Sequence, residues 1–165
     1  MNLTSRCFVV ICFLLTGCAW DTISKDWSFP GVIYGDCVLD KELIQNAHVY
    51  MDYLKEVGKT APSKIDKISH PFADSVQKTI NGERVARNAH EFVKQLTDVR
   101  KLCKSWTLEI LEILPSSEAR AATIRYKLEA PPLGGFIIIV IVRFTEVGTV
   151  LDVNEVYSQI EGSKK

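Results

Sequence analysis

Tyr50, His70, Tyr126, Glu155 and Tyr157 are the polar side chains whose positions on apolar, alternating segments could turn them into a common interior. Their chemistry would be proton transfer and hydrogen bonding. A histidine exchanges a proton near neutral pH, a glutamate can serve as acid or base, and a tyrosine hydroxyl can donate to a substrate oxygen. Each also has a plainer reading. Tyr50 and Tyr126 fit core aromatics with the hydroxyl at a rim, and His70, just before Pro71, fits a turn residue. Glu155 fits an exposed strand residue or a partner for Arg143 or Arg125, and His48 and His90 fit the solvent side of helices. The three histidines lack ligand spacing, so no metal is expected. Gly134-Gly135 after Pro131-Pro132 reads as a hairpin turn rather than a phosphate loop, and no cofactor is expected.

The 165 residues carry 20 Lys plus Arg against 20 Asp plus Glu. That balance argues against nucleic acid as a partner, because phosphate binding needs clustered positive charge. Arg84, Arg87, Arg100, Lys101 and Lys104 are interspersed with acids and read as a solvated face. There is no Cys-x-x-Cys, so neither a zinc site nor a dithiol redox motif is indicated. Cys37 and Cys103 could pair in an oxidising compartment or stay as buried thiols.

Arg6 is followed by the apolar run Cys7 to Leu15. That run is about half of the roughly 20 residues a spanning helix needs, and a short run behind a positive start is the layout of a secretory signal. It ends in Leu15-Thr16-Gly17-Cys18, which resembles the lipobox of bacterial lipoproteins. The resemblance implies cleavage before Cys18, transfer of diacylglycerol to its thiol, and a membrane partner reached through that lipid anchor. Several acyl chains together anchor stably where one does not. Ala19 rather than Asp after the cysteine resembles default sorting to the outer membrane, facing the periplasm of a bacterial cell envelope. Residues 1–17 are then a signal peptide and residues 18–35, with Pro30 and scattered aromatics, a lipidated tether.

The elements that must position the polar residues follow from periodicity. Between Asp36 and Val57, apolar residues fall three and four apart from Leu39 to Val57, which predicts an amphipathic helix stopped by Gly58 and Pro62. A short turn is expected at Ile65 to Ser69. Val76 to Ile80 and Glu83 to Ala86 flank Asn81-Gly82, the pair that supplies positive backbone angles for a two-residue hairpin. Asn88 can cap a second helix to about Cys103, with Phe92, Val93, Leu96, Val99 and Leu102 on its inner side. Four strands follow, Trp106 to Leu114, Arg120 to Glu129, Gly135 to Glu146 and Val150 to Ile160. The third is apolar on both faces, so both should be covered: one by the helices, the other by an apolar pocket, a partner chain, or both. Residues 163–165 read as a frayed tail.

This order of elements resembles the nuclear transport factor 2-like fold and, within it, the SnoaL-like proteins. Pro71-Phe72-Ala73-Asp74, Asn81-Gly82-Glu83 with Arg87-Asn88, and Val150 to Tyr157 are similar to the family's local motifs. The resemblance spans residues 36–162 and implies an α+β class: a cone-shaped, curved antiparallel sheet packed on helices, a cystatin-like roll, with an apolar pocket at its open mouth. Family enzymes of the ketosteroid isomerase kind carry a carboxylate base on the first hairpin. Here that strand reads Ser75-Val76-Gln77-Lys78-Thr79-Ile80, without one, so no catalytic residue carries over. The leading expectation is a tethered module that binds an apolar small molecule or a protein partner and can form a homodimer through its sheet face. An isomerase, lyase or hydrolase working through His70 and a Tyr or Glu is the alternative. A component of an envelope secretion assembly is a third.

Overall fold

The structure, a computed structural model, describes residues 38–160. Cys18, Cys37, the signal, the tether and the tail lie outside the described residues, which all fall in the compact unit Gly35–Lys165. Helix α1 spans Val38–Lys59 and buries Leu43, Ala47, Tyr50, Met51, Leu54 and Val57, the stripe its spacing predicts, together with Tyr53. Gly58 does not itself end the helix. It lets Trp106 approach: the indole donates to Leu54 O at 2.8 Å, Trp106 N–H donates to Gly58 O at 3.2 Å, and a Cβ on Gly58 would meet the indole and lie 2.8 Å from Trp106 O. A 3-10 turn, Pro62–Lys67, buries Ile65 and leads to the sheet.

Strand β1, Phe72–Ile80, begins earlier than the alternation alone suggests and turns at Asn81 and Gly82, both at positive φ (48° and 85°), into β2, Glu83–Ala86. Helix α2, Ala89–Leu102, is capped by the Asn88 side chain, which accepts from Glu91 N–H at 2.9 Å, while the Glu91 carboxylate accepts from Arg87 N–H at 2.8 Å. Strands β3 (Thr107–Ser116), β4 (Ala121–Ala130), β5 (Gly134–Phe144) and β6 (Val150–Gln159) complete a six-stranded sheet of order β2-β1-β6-β5-β4-β3. Every pairing is antiparallel except β1 with β6, which is parallel. This junction brings the hairpin to the last strand, and the helices pack on the sheet, α1 on β3 to β5 and α2 on β1 and β2.

Three expectations change. The second face of β5 is not covered by the pocket. The sheet curls over the helices, so helices and cavity share the inner face, and Ile139 (47% exposed), Ile141 (45%) and, from β6, Val156 (58%) lie open within the chain. Leu102 is not on the inner side of α2 but 67% exposed at its last residue. Arg100 is not on a solvated face: it is buried, donating from Nε to Val57 O (3.0 Å), from Nη1 to Cys103 O (2.6 Å) and from Nη2 to Thr60 O (2.9 Å), with its guanidinium 5.5 Å from the centre of the Trp106 ring. Its planar fork donates to carbonyls at the C-terminal ends of α1 and α2, where intrahelical donors run out, and positive charge is favoured at those ends. Cys103 is a buried free thiol that donates to Val99 O.

Arg100→Lys keeps the charge and loses the fork. We expect it to lower stability by about 2–4 kcal/mol, because buried carbonyls lose their donors. Urea unfolding checks this, and an unchanged midpoint would show that the fork is not what ties the two helix ends.

Candidate functional site

The inner positions of β6 grade from core to mouth. Val153 is fully buried, Glu155 is 6% exposed and Tyr157 is 43% exposed. Strand alternation places all three on one face, opposite Val142, Val140 and Ile138 of β5. Glu155 therefore stands at the floor of a cavity of about 340 Å³ that opens beside Tyr157 and Leu133. The walls are Leu96 and Val99 of α2, Trp106, Leu128 of β4, and Phe136 and Ile138 of β5.

The floor is polar. Lys78 Nζ lies 3.1 Å from Glu155 Oε2, with both side chains buried, and donates to Gln95 Oε1 at 3.4 Å. The same ammonium sits 4.7 Å from the centre of the Phe92 ring. Tyr50 from α1 donates to Glu155 Oε1 at 3.3 Å, and the Tyr126 hydroxyl from β4 lies close enough to feel the Glu155 charge. One carboxylate thus faces a cation and two hydroxyls from three elements. Burial, then the charge of Glu155, pushes the Tyr50 and Tyr126 hydroxyls well above the usual 10.0. Tyr53 is pushed up to about 12 by burial and then Glu56.

The turn between β1 and β2 fixes, from outside, the strand backbone that carries this carboxylate. Asn81 N–H donates to Glu155 O at 2.8 Å, and Tyr157 N–H donates to Asn81 Oδ1 at 3.2 Å, so one turn residue grips β6 on either side of Val156. The structure brings Tyr50, Tyr126 and Glu155 together and sets Tyr157 at the mouth, its ring edge-on to Phe136 at 5.9 Å. It does not bring His70 there. His70 is exposed and stacked on Phe72 at 5.3 Å, outside the cavity lining, and His48 and His90 are also exposed. The tyrosine hydroxyls lie at the buried floor rather than at a rim, and Glu155 pairs with neither arginine: Arg125 instead faces Glu112 at 3.5 Å.

Lys78 and Gln95 are the residues the sequence reading passed over. Both had a signal. Lys78 shares a strand face with Val76 and Ile80, two residues to either side, and Gln95 follows Phe92 by three and precedes Val99 by four on α2.

This arrangement has relatives in shape. A nuclear transport factor 2-like protein from Exiguobacterium sp. 255-15 superposes with a TM-score of 0.56 at 14% identity, covering 70% of this chain and 99% of its own. A SnoaL-like protein from Burkholderia thailandensis gives 0.55 at 13%, covering 72% and 96%. An LEH-like epoxide hydrolase of M. tuberculosis gives 0.56 at 14%, covering 72% and 84%. The fold is the nuclear transport factor 2-like, SnoaL-like cone. In sequence, no family model and no curated protein matches the chain.

Lys78→Met leaves Glu155 buried without its cation and should cost about 3–5 kcal/mol, whereas Lys78→Met with Glu155→Leu should recover much of that loss. A double-mutant cycle in urea measures it, and additive losses would mean the pair is not coupled. The tyrosines set an alkaline limit. Their folded values are raised, so between about pH 10 and pH 12 the folded chain keeps protons that the unfolded chain releases, and stability falls as pH rises through that window. Urea midpoints measured across it should decline, and Tyr50→Phe with Tyr126→Phe should flatten the decline.

Proposed function

We propose that the chain is a lipid-anchored protein of the bacterial envelope whose cone holds a small, mostly apolar molecule. The observation that carries the binding part is the open cavity of about 340 Å³, apolar in its walls with hydrogen-bonding groups gathered at its floor. Clefts of this size and make-up are the usual form of small-molecule sites. Binding is favoured over catalysis because Lys78 and Glu155 satisfy each other, and His70, which the enzyme reading needed, stands elsewhere. An enzyme of this fold, as the epoxide hydrolase name of one neighbour suggests, would here have to work through Glu155, Lys78 and Tyr126.

The anchoring part rests on Leu15-Thr16-Gly17-Cys18 behind an apolar run. Outer-membrane placement facing the periplasm rests on Ala19. Among the described residues no helix is long and apolar enough to cross a membrane. A second reading, assembly through the sheet, is favoured by one observation: Ile139 and Val156 are cross-strand neighbours and both exposed. A second copy of the chain would cover them, as apolar patches of this kind mark association surfaces.

Three measurements test these readings. Cys18→Ser should release the protein from membranes or leave an unprocessed precursor, and normal processing with membrane retention would refute lipidation. The neutral dye Nile red should brighten with the purified chain and lose that response in Leu128→Trp, which fills the cavity; a dye response unaffected by filling would place binding elsewhere. A dimer by mass in solution, reduced to a monomer by Ile139→Glu, supports sheet pairing, and a monomeric native chain argues against it.

A further inference from the structure

We infer that the cavity floor selects uncharged guests bearing one hydroxyl or carbonyl on an otherwise apolar body, and turns carboxylates and ammonium groups away. This deepens the proposed function and rests on the cone being a ligand site. Among the described residues that line the cavity, Lys78 and Glu155 are the formally charged ones. They lie 3.1 Å apart and cancel. A guest carboxylate would enter a site whose cation is already paired and would face Glu155 as a like charge; a guest ammonium would face Lys78 in the same way. Neither regains the hydration it gives up, and leaving a buried charge uncompensated is costly.

A neutral polar group meets the opposite situation. Lys78 has three N–H donors, and two are directed to Glu155 and Gln95, leaving one for a guest oxygen. Gln95 accepts from Lys78 with its oxygen, so its amide N–H groups remain as donors at the cavity wall. Tyr126, also in the lining, has oxygen lone pairs that can accept a hydroxyl proton. The walls, among them Leu96, Trp106, Leu128 and Phe136, suit the apolar remainder. At the mouth, Gln159 is tied to Leu133 O at 3.3 Å, and no charged side chain joins the lining there.

The test uses the full chain with Trp20→Phe and Trp27→Phe, so that Trp106, the remaining one of three tryptophans, reports from the cavity wall. Cyclohexylbutanol, cyclohexylbutyrate and cyclohexylbutylamine are titrated at neutral pH and followed by its fluorescence. The alcohol should bind at least about tenfold more tightly than either ion, the scale of one well-placed hydrogen bond against an unpaired buried charge. Glu155→Gln leaves Lys78 as the sole formal charge of the lining and should reverse the order in favour of the butyrate. Native binding of the butyrate as tightly as the alcohol overturns the inference while leaving the cone as a ligand site. Binding of none of the three overturns both. A Glu155→Gln chain that binds and still prefers the alcohol overturns the charge argument; should that variant not fold, the native comparison decides alone.

Discussion

The Glu155 carboxylate is the constraint on which the cone depends. It receives Lys78 from β1 and Tyr50 from α1, faces Tyr126 from β4, and is carried by β6. A carboxylate away from water is stable there because every donor aimed at it is fixed by a different element. The same fact works in reverse. Those elements cannot shift independently without stranding a charge or a hydroxyl. The parallel β1–β6 pairing, with Ile80 beside Glu155 in register, is therefore more than a way to close the sheet. It is what brings a hairpin cation within reach of a last-strand anion.

A second fixed point lies at the other end of α2. Arg100 joins Val57 O, Thr60 O and Cys103 O, and stacks near Trp106, whose indole is held by Leu54 O against the bare Cα of Gly58. Trp106 is also a cavity wall. The helix pair is thus pinned at its C-terminal ends while the floor is pinned by Glu155, and the space between them stays open because large side chains on both sides are held back by backbone contacts. Filling it would need Trp106 to leave Gly58, and that move breaks a buried hydrogen bond at a cost of about 1–3 kcal/mol.

Much of this fold was legible in the sequence because its signals are local. The stripe from Leu43 to Val57, the Asn81-Gly82 turn, the Asn88 cap and the alternation along β4 to β6 each depend on neighbours a few residues apart, and each element formed within a few residues of its expected bounds. The site was legible only in part. Tyr50, Tyr126 and Glu155 could be placed on inward faces, but their convergence depends on the parallel joining of β1 to β6, with its register break between Phe72 and Gln77, which no local pattern announces. Lys78 was overlooked for a chemical reason. The hairpin base of this fold's enzymes is a carboxylate, and a lysine between Val76 and Ile80 looks like a surface residue until a buried acid is known to face it. Arg100 misled for the same reason: charged, exposed residues stand near it on α2, while two of its three carbonyl partners lie some forty residues away.

The two faces of β5 finally separate two kinds of requirement. Ile138, Val140 and Val142 turn inward and are buried by the chain itself, so folding alone accounts for them. Ile139 and Ile141 turn outward, and folding of one chain gives them no cover. Isolated exposed apolar residues need no explanation, but these two share a surface with Val156 on the adjoining strand. Their neighbours across β4 are Arg125 and Thr123, so the apolar strip is bounded by polar groups on that side. A strip with that border can be buried against another surface without stranding charge. The inner cavity, by contrast, keeps its charged pair at the floor and its apolar groups along the walls. The chain thus offers two surfaces of opposite design, one suited to a guest with a polar end and the other to a broad apolar contact, and occupancy of one makes no demand on the other.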